Sequence, residues 1–165
     1  MTLTRAITTL GPIGYLRPAP GTWGSLAALP LAWIAYSAFG LAGFLALLLI
    51  ASFGGVWCIK ITTKDSDNVD LSEIIIDELV GQWIALLPVL VGSASRGVDV
   101  LALWPGWLVA FVAFRCFDIW KPWLIGRADA RNDALGVMLD DILAGIAAAL
   151  TVLLCAGVVH GLMAL

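Results

Sequence analysis

Five carboxylate residues stand at the edges of long uncharged stretches of this sequence. They are Asp77, Glu78, Asp118, Asp140 and Asp141. An ionised carboxylate at the end of an apolar helix is costly unless a partner compensates its charge. Several such groups in one short chain indicate a bound cation, because carboxylate oxygens are the ligands that Mg²⁺ and Mn²⁺ prefer.

The first acidic segment, Asp70 to Glu78, runs directly into an uncharged stretch. As a helix, it would place Asp70, Glu73 and Asp77 on one face, at positions i, i+3 and i+7. Like charges so close repel each other, and a divalent cation would turn that repulsion into attraction. The alternative is a plain acidic first turn that the helix dipole favours.

The second segment combines both signs of charge. Arg115, Asp118 and Lys121 are spaced by three, so one helical face would present a cation, an anion and a cation. This pattern predicts either an ion-pair ladder or a site where Asp118 binds a metal and the two cations bind phosphate oxygens. Pro122 is expected to end the helix and to leave Lys121 at its terminus.

Two further segments border the remaining apolar stretches. Asp140 and Asp141 are expected to open the final helix, where Gly145 and Ala149 have the spacing for close packing against a neighbour. Near the N-terminus, segment 18–25 predicts a phosphate-binding loop whose glycines let backbone N–H groups converge, or else a simple N-cap and turn. The candidate phosphate ligands there are Gly21, Thr22, Gly24 and Ser25.

The elements that must position these residues are strongly apolar. Of the 165 residues, 61% are hydrophobic and 13% are charged, which indicates one integral membrane domain spanning 1–165. The net charge of −3 excludes a general attraction to nucleic acids. Uncharged stretches predict an all-α membrane bundle of about five hydrophobic helices. These are a hairpin from about Ser25 to about Cys58, interrupted near 37–43, and the stretches Leu79–Ser95, Val100–Phe114 and Ile142–Leu165.

Five crossings sort the charges onto two sides of the membrane. The stretches Leu79–Ser95 and Val100–Phe114 are short for a crossing, so each is expected to borrow residues from its charged flank or to lie partly within the protein. With an inner N-terminus, every Lys and Arg except Arg96 falls inside, which is the orientation that positive charge favours. All the acidic residues except Asp99 fall on that side too. The sequence therefore predicts an acidic site at the cytoplasmic face.

Taken together, four segments resemble the phosphatidylglycerophosphatase A family of Mg²⁺-dependent membrane phosphatases. The matching pieces are Ala19–Ser25, Ile74–Trp83, Phe114–Trp123 and Gly136–Gly145, and they occur in the family's order. The sequence departs from the family at Leu124, where Pro is usual, and at Asp133-Ala134, where Gly-Gly is usual.

The resemblance implies a bacterial inner-membrane enzyme of phospholipid biosynthesis that removes the terminal phosphate of phosphatidylglycerophosphate. It implies one or two Mg²⁺ ions held by Asp77, Glu78, Asp118, Asp140 and Asp141. It implies catalysis by Asp70, Asp77, Glu78, Asp118, Lys121 and Asp141, and phosphate positioning by Arg115, Lys121 and the segment Gly21 to Ser25. Direct attack by water, with Asp70 or Glu78 as base, and an aspartyl-phosphate intermediate both stay open.

Three other functions compete with this interpretation. A phosphatase for a different lipid, such as phosphatidic acid, would use the same site. An ion-coupled transporter also places carboxylates in a membrane, but its path needs acids at several depths, and 79–95, 100–114 and 142–165 contain none. A CDP-alcohol phosphatidyltransferase uses clustered Asp at a membrane face, but its DGxxAR…GxxxDxxxD signature is absent.

Overall fold

The computed structural model describes residues 2–66 and 68–163, and for residues 160–163 it describes the backbone alone. Within these ranges the chain forms helices and no strand, which confirms the all-α prediction. The helices are α1 (Leu3–Thr8), α2 (Pro20–Thr62), α3 (Ile76–Arg96), α4 (Trp104–Trp120), α5 (Leu124–Asp129) and α6 (Ala134–Met163), with 3₁₀ turns at Ile13–Tyr15 and Val100–Leu103. The predicted end of the last segment, Leu165, lies outside the described residues.

The longest helix, α2, consists of two limbs joined at Gly40. Gly40 has φ 65° and ψ −172°, a backbone conformation that a residue without a Cβ adopts at little cost. The break separates a first limb, 20–39, from a second limb, 41–62. It falls inside the interruption predicted near 37–43.

The two limbs of α2 pack against α3 and run in opposite directions. Later residues of the first limb contact later residues of α3, whereas later residues of the second limb contact earlier residues of α3. They are Gly24 with Ile75 and Tyr36 with Ser93 on the first limb, and Phe44 with Trp83 and Gly55 with Ile76 on the second. The predicted helical hairpin is therefore confirmed.

The two short apolar stretches gain length from their charged flanks. Helix α3 begins at Ile76 and so includes two acidic residues, and most of its residues are buried inside the bundle. Helix α4 continues the turn Val100–Leu103 and reaches Trp120, which brings two more charged residues into the span. Four helices of the described chain are long and apolar enough to cross a membrane, and the break in α2 gives five segments, as predicted.

Helices α3 and α6 touch backbone to backbone. A Cβ on Gly145 would overlap the carbonyl of Gly81, and a Cβ on Gly81 would lie 2.6 Å from the backbone oxygen of Asp141. Close packing at Gly145 is thus confirmed, whereas Ala149 is only half-buried. The fully buried alanines of this face are Ala144 and Ala148. The contact matters for the site because it fixes α6 against α3 one turn from the acidic residues.

The chain directions place the ends of five segments at the same end of the bundle. We call this the acidic end, because Asp77, Glu78, Asp118, Asp140 and Asp141 lie there. The start and finish of α2, the start of α3, the finish of α4 and the start of α6 also lie there. Of the nine Lys and Arg residues, only Arg96, in the last turn of α3, lies at the opposite end.

Candidate active site

Three helices contribute carboxylates to one cavity at the acidic end. Asp77 and Glu78 occupy the first turn of α3, Asp118 the last turn of α4, and Asp140 and Asp141 the second turn of α6. The cavity has a volume of about 360 Å³. Its wall consists of Ala19, Pro20, Gly21, Asp70, Ser72, Ile74, Asp77, Glu78, Arg115, Asp118, Ile119, Lys121, Asp129, Asn132, Val137, Asp140 and Asp141. Sequence segments far apart in the chain therefore meet here, as the charge pattern predicted.

The carboxylates form two groups that share one member. One oxygen each from Asp77, Glu78 and Asp141 lie within 4.8 Å of one another, and the same is true of Asp118, Asp140 and Asp141. Asp141 is 3% exposed, so its carboxylate is held inside the protein. Such spacing suits a cation that collects several carboxylate oxygens.

Several buried oxygens of this cluster have no hydrogen-bond partner. They are Asp77 Oδ1, Glu78 Oε2 and Asp140 Oδ1. A buried carboxylate oxygen without a partner loses its hydration and gains nothing in return. A divalent cation would supply the missing interaction, and the donor set is all oxygen, which is the chemistry that Mg²⁺ and Mn²⁺ prefer. The residues present therefore fit a divalent metal ion.

Arg115 borders the cluster from the α4 side. Its Nη1 lies 2.5 Å from Asp118 Oδ2 and donates to Ser25 Oγ at 3.2 Å. A Cβ on Gly21 would meet Glu78 Oε1 and lie 3.3 Å from Arg115 Nη1, so these two side chains face the same helix start. Arg115 thus links the start of α2 to the end of α4, close to Glu78 at the start of α3.

Lys121 borders the cluster from the other side. It ends α4 in a left-handed conformation, with φ 48° and ψ 52°, and Pro122 follows as predicted. Its Nζ lies 2.5 Å from Asp129 Oδ1 and 2.7 Å from Asp140 Oδ2. Burial lowers the pKa of the Lys121 ammonium, but the hydrogen bonds to Asp129 and Asp140 outweigh burial and raise that pKa above its ordinary value. The ammonium of Lys121 therefore stays charged. Of the predicted ion-pair ladder, only the Arg115–Asp118 pair forms.

The segment predicted as a phosphate-binding loop is the first turn of α2. Pro20 occupies the first helical position, where its missing N–H costs nothing. Of the four candidate ligands, only Gly21 lines the cavity. Gly24 packs on Ile75, and Thr22 is not part of the cavity wall. The segment is therefore helical from Pro20 and is not an open loop, and its glycines permit close helix packing; phosphate binding by this segment stays a prediction.

Ser25 is fully buried and does not face the cavity. Its hydroxyl donates to the Gly21 carbonyl at 2.8 Å, one turn back, and accepts from Arg115 Nη1. The serine therefore orients the arginine.

The acidic segment ahead of α3 forms a loop with a turn at 71–74 and is not helical. Helix α3 begins at Ile76, and the N–H of Ile75 donates to the Thr8 carbonyl at 2.8 Å. That bond to the N-terminal segment, together with the burial of the isoleucines, holds the chain out of a helix before Ile76. The predicted shared face of Asp70, Glu73 and Asp77 is therefore wrong.

The first two members of that predicted face have separate surroundings. Asp70 is exposed and lies on the cavity wall. Glu73 faces away from the site to Arg5, whose Nη2 lies 3.0 Å from Glu73 Oε1. Distance and the ion pair with Arg5 therefore reduce the repulsion of Glu73 by Asp70 and Asp77. Glu73 is not part of the carboxylate cluster at the acidic end.

Helix α6 begins two turns earlier than predicted. It starts at Ala134, so Asp140 and Asp141 do not open it. The opening is capped by Asp133, whose Oδ1 accepts from the N–H of Gly136 at 2.6 Å. Arg131 pairs with Asp133 at 2.9 Å and, together with that N–H, holds the carboxyl pKa below its usual range. The departure from the family's Gly-Gly therefore supplies a helix cap.

Two residues of the site were not identified from the sequence. Asp129 is not among the predicted site residues, and its bond to Lys121 depends on the left-handed turn after α4. Gln82 is fully buried one helical turn from Glu78, and neither its Nε2 nor its Oε1 has a partner. An amide inside an apolar stretch is itself a sequence signal, because burying it without a partner is costly.

Comparison with known proteins gives a consistent result. The family model described as Phosphatidylglycerophosphatase A matches residues 6–156. The chain is 38% identical over 140 residues to Phosphatidylglycerophosphatase A of Haemophilus influenzae, covering 84% of this chain and 80% of that protein. It is 33% identical over 135 residues to Phosphatidylglycerophosphatase A of Escherichia coli, covering 79% and 70%.

A third relative carries a different name. The chain is 34% identical over 139 residues to a Bacteroides thetaiotaomicron protein named "Putative phosphatidylinositol-3-phosphatase", covering 81% of this chain and 80% of that protein. No solved structure matches the chain significantly.

Proposed function

Since the chain belongs to the phosphatidylglycerophosphatase A family of phosphatases, we propose that it hydrolyses phosphatidylglycerophosphate to phosphatidylglycerol and inorganic phosphate. The observation that carries the proposal is the convergence of five carboxylates and two cationic side chains in one cavity at the acidic end. Carboxylates that bind a metal, beside cations that bind phosphate, are the groups that phosphoryl transfer requires.

Mg²⁺ is the proposed cofactor, held by Asp77, Glu78, Asp118, Asp140 and Asp141. The proposal is supported by the buried carboxylate oxygens that lack partners in this cluster. When bound, Mg²⁺ would polarise the phosphoryl oxygens and neutralise charge in the transition state.

Arg115 and Lys121 are the proposed phosphate-binding residues. Both line the cavity, and both are already oriented, Arg115 by Asp118 and Ser25, and Lys121 by Asp140. A preoriented guanidinium binds phosphate oxygens as a fork, and an ammonium binds them as a point charge. Little side-chain entropy then remains to be lost when the phosphate arrives.

Asp70 is the proposed general base. It lies on the cavity wall with an exposed side chain, so a proton taken from water can leave to solvent. Glu78, the other candidate, is assigned instead to the metal, because its Oε2 is buried and without a partner. A base must remain free to accept a proton, which a metal ligand does not.

The mouth of the cavity supports a lipid substrate. Ile119 lines the cavity and is 71% exposed, and Trp120 and Trp123 beside it are also exposed. Exposed tryptophans are typical of the boundary between membrane and water. We therefore place the protein in a bacterial inner membrane, with the acidic end and its excess of Lys and Arg on the cytoplasmic side.

A phosphatase acting on another lipid phosphomonoester is the second candidate. The relative named for phosphatidylinositol 3-phosphate favours including that lipid, and phosphatidic acid shares the same reacting group. A transporter is disfavoured, because the acids of the described spans gather at one end and leave the rest of α3, α4 and α6 without a carboxylate.

The proposal predicts phosphate release by the purified full-length protein in detergent. Phosphatidylglycerophosphate with Mg²⁺ should give the highest kcat/KM in a panel that includes phosphatidic acid and phosphatidylinositol 3-phosphate. Chelation with EDTA should remove the activity, and added Mg²⁺ should restore it. Full turnover after chelation would contradict the proposed requirement for a metal ion, and a higher kcat/KM for another lipid would reassign the substrate.

Ser25→Ala tests the orientation of the phosphate-binding arginine. The variant removes the hydroxyl that accepts from Arg115, and one such bond is worth roughly 1.4 kcal/mol, so kcat/KM should fall about tenfold. The loss should appear mainly in KM, because Arg115 holds substrate and transition state alike.

The matched control for Ser25→Ala is Ser52→Ala. Ser52 is on the same helix and donates to the Leu48 carbonyl at the same 2.8 Å, but it does not line the cavity. It should leave steady-state kinetics unchanged. Equal kinetics in the two variants would show that Ser25 contributes only to the helix.

A further inference from the structure

We propose that the cavity binds two divalent cations and that Asp141 is a ligand to both. The inference rests on the proposed function, because it concerns the same site, but it specifies how many ions bind and which residues hold each one. The first ion would be bound by Asp77, Glu78 and Asp141, and the second by Asp118, Asp140 and Asp141.

The spacing of the oxygens is the first argument. In the described part of the chain, candidate metal-binding groups form two sets of three and not one set of five, with a limit of 4.8 Å inside each set. One ion at either set would leave two carboxylates of the other set without a cation. Asp141 belongs to both because it lies on α6, which packs between α3 and α4 at this end.

Unsatisfied atoms are the second and independent argument. The α3 set contains Asp77 Oδ1 and Glu78 Oε2, and the other set contains Asp140 Oδ1, all buried and without a hydrogen-bond partner. Asp77 and Asp140 are each more than nine-tenths buried. A single ion satisfies the orphaned oxygens of one set only, so the cost of burial would persist in the other.

Net charge is the third argument. The cavity wall holds seven carboxylates, counting Asp70 and Asp129, and two cations, Arg115 and Lys121, so with every group ionised five negative charges remain uncompensated. One divalent ion leaves three of these charges and two ions leave one, so the second ion removes most of the repulsion that a phosphomonoester would meet.

The two sets are supported from different helices, which allows separate tests. Asp77 and Glu78 come from the start of α3, and Asp118 comes from the end of α4. A substitution in one helix should therefore empty one position and leave the other. Only the α6 residue Asp141 should affect both.

The test is Mn²⁺ binding by the purified full-length protein in detergent, without substrate. Loss of the free Mn²⁺ electron paramagnetic resonance signal gives the stoichiometry, expected to be two ions per chain. The bound ions should show spin coupling, because they share a carboxylate. One ion per chain, or two ions without coupling, would overturn the proposal.

Variants assign the ions. Asp77→Asn and Asp118→Asn should each retain one ion without spin coupling. Asp141→Asn should lower the binding affinity of both ions by more than the roughly 100-fold that loss of an outer-shell residue can cost. Asp140→Asn provides a second variant of the α4–α6 set if Asp118→Asn fails to fold. The control, Asp65→Asn, alters an exposed acid outside the cavity wall and should retain two coupled ions.

Binding and turnover separate this inference from the proposed function. Two coupled ions with no release of phosphate from phosphatidylglycerophosphate would keep the two-ion site and remove the proposed reaction. Release of phosphate with one bound ion would keep the proposed reaction and remove the two-ion site. Loss of the same single ion in Asp77→Asn and Asp118→Asn would also overturn the division into two sets.

Discussion

Asp141→Asn is expected to lower kcat for phosphate release by about 10³-fold or more. Asp141 is the one carboxylate that belongs to both candidate metal-binding groups, and it is almost completely buried. Asparagine keeps its shape but removes its charge, and losing metal stabilisation of the transition state costs several kcal/mol. About 4 kcal/mol corresponds to a thousandfold in rate.

The Asp141→Asn variant is to be assayed beside Asp65→Asn, which removes one negative charge from the same end of the protein. Asp65 is exposed and outside the cavity, so its variant should keep normal turnover. Gel filtration and circular dichroism in detergent establish that both are folded. A folded Asp141→Asn protein with normal kcat would show that this carboxylate, and the ligand position shared by the two metal-binding groups, are not needed for the reaction.

The membrane segments were predictable because the physical requirement is simple. A span needs about 20 apolar residues, and stretches without charge reveal where such spans lie. The break within α2 was also predictable, since an apolar run of that length has to turn, and it turns at Gly40, inside the expected interval. The clustering of Asp77, Asp118 and Asp141 followed from placing all helix ends with acids on one side.

Helix boundaries at the site were not predictable from charge and apolarity. The chain before α3 stays non-helical because the N–H of Ile75 bonds to Thr8, about 67 positions away in sequence. The start of α6 moved toward the N-terminus because Asp133 caps it, although a longer uncharged run begins only after Asp141. Both outcomes depend on specific hydrogen bonds, and hydrophobic patterning contains no information about them.

The partners of the cationic residues were also beyond sequence reasoning. Regular spacing by three predicts that Lys121 meets Asp118, but the left-handed conformation of Lys121 turns it toward Asp129 and Asp140. Ser25 was interpreted as a phosphate ligand from its residue type, yet its burial assigns it to Arg115. Residue type indicated the candidate ligands, and tertiary packing decided which side chains they contact.

Gly145→Ala is expected to destabilise the protein and to lower its activity about 100-fold. The new Cβ would overlap the carbonyl of Gly81, so α6 has to move away from α3. Overpacking of this kind costs roughly 1–3 kcal/mol. Asp141 lies one turn away and would shift relative to Asp77 and Glu78, and a displacement of about 1 Å in an active site can cost 10²-fold in rate.

Gly157→Ala separates this clash from the intrinsic effect of alanine. Gly157 is exposed on the same helix, and a Cβ there meets nothing within 4 Å. Alanine raises helix propensity by about 1 kcal/mol at either position, so only contact with α3 distinguishes the two variants. Thermal unfolding in detergent should show a lower midpoint for Gly145→Ala and an equal or higher one for Gly157→Ala. Equal midpoints and equal kcat would mean that the α3–α6 contact does not position the carboxylates.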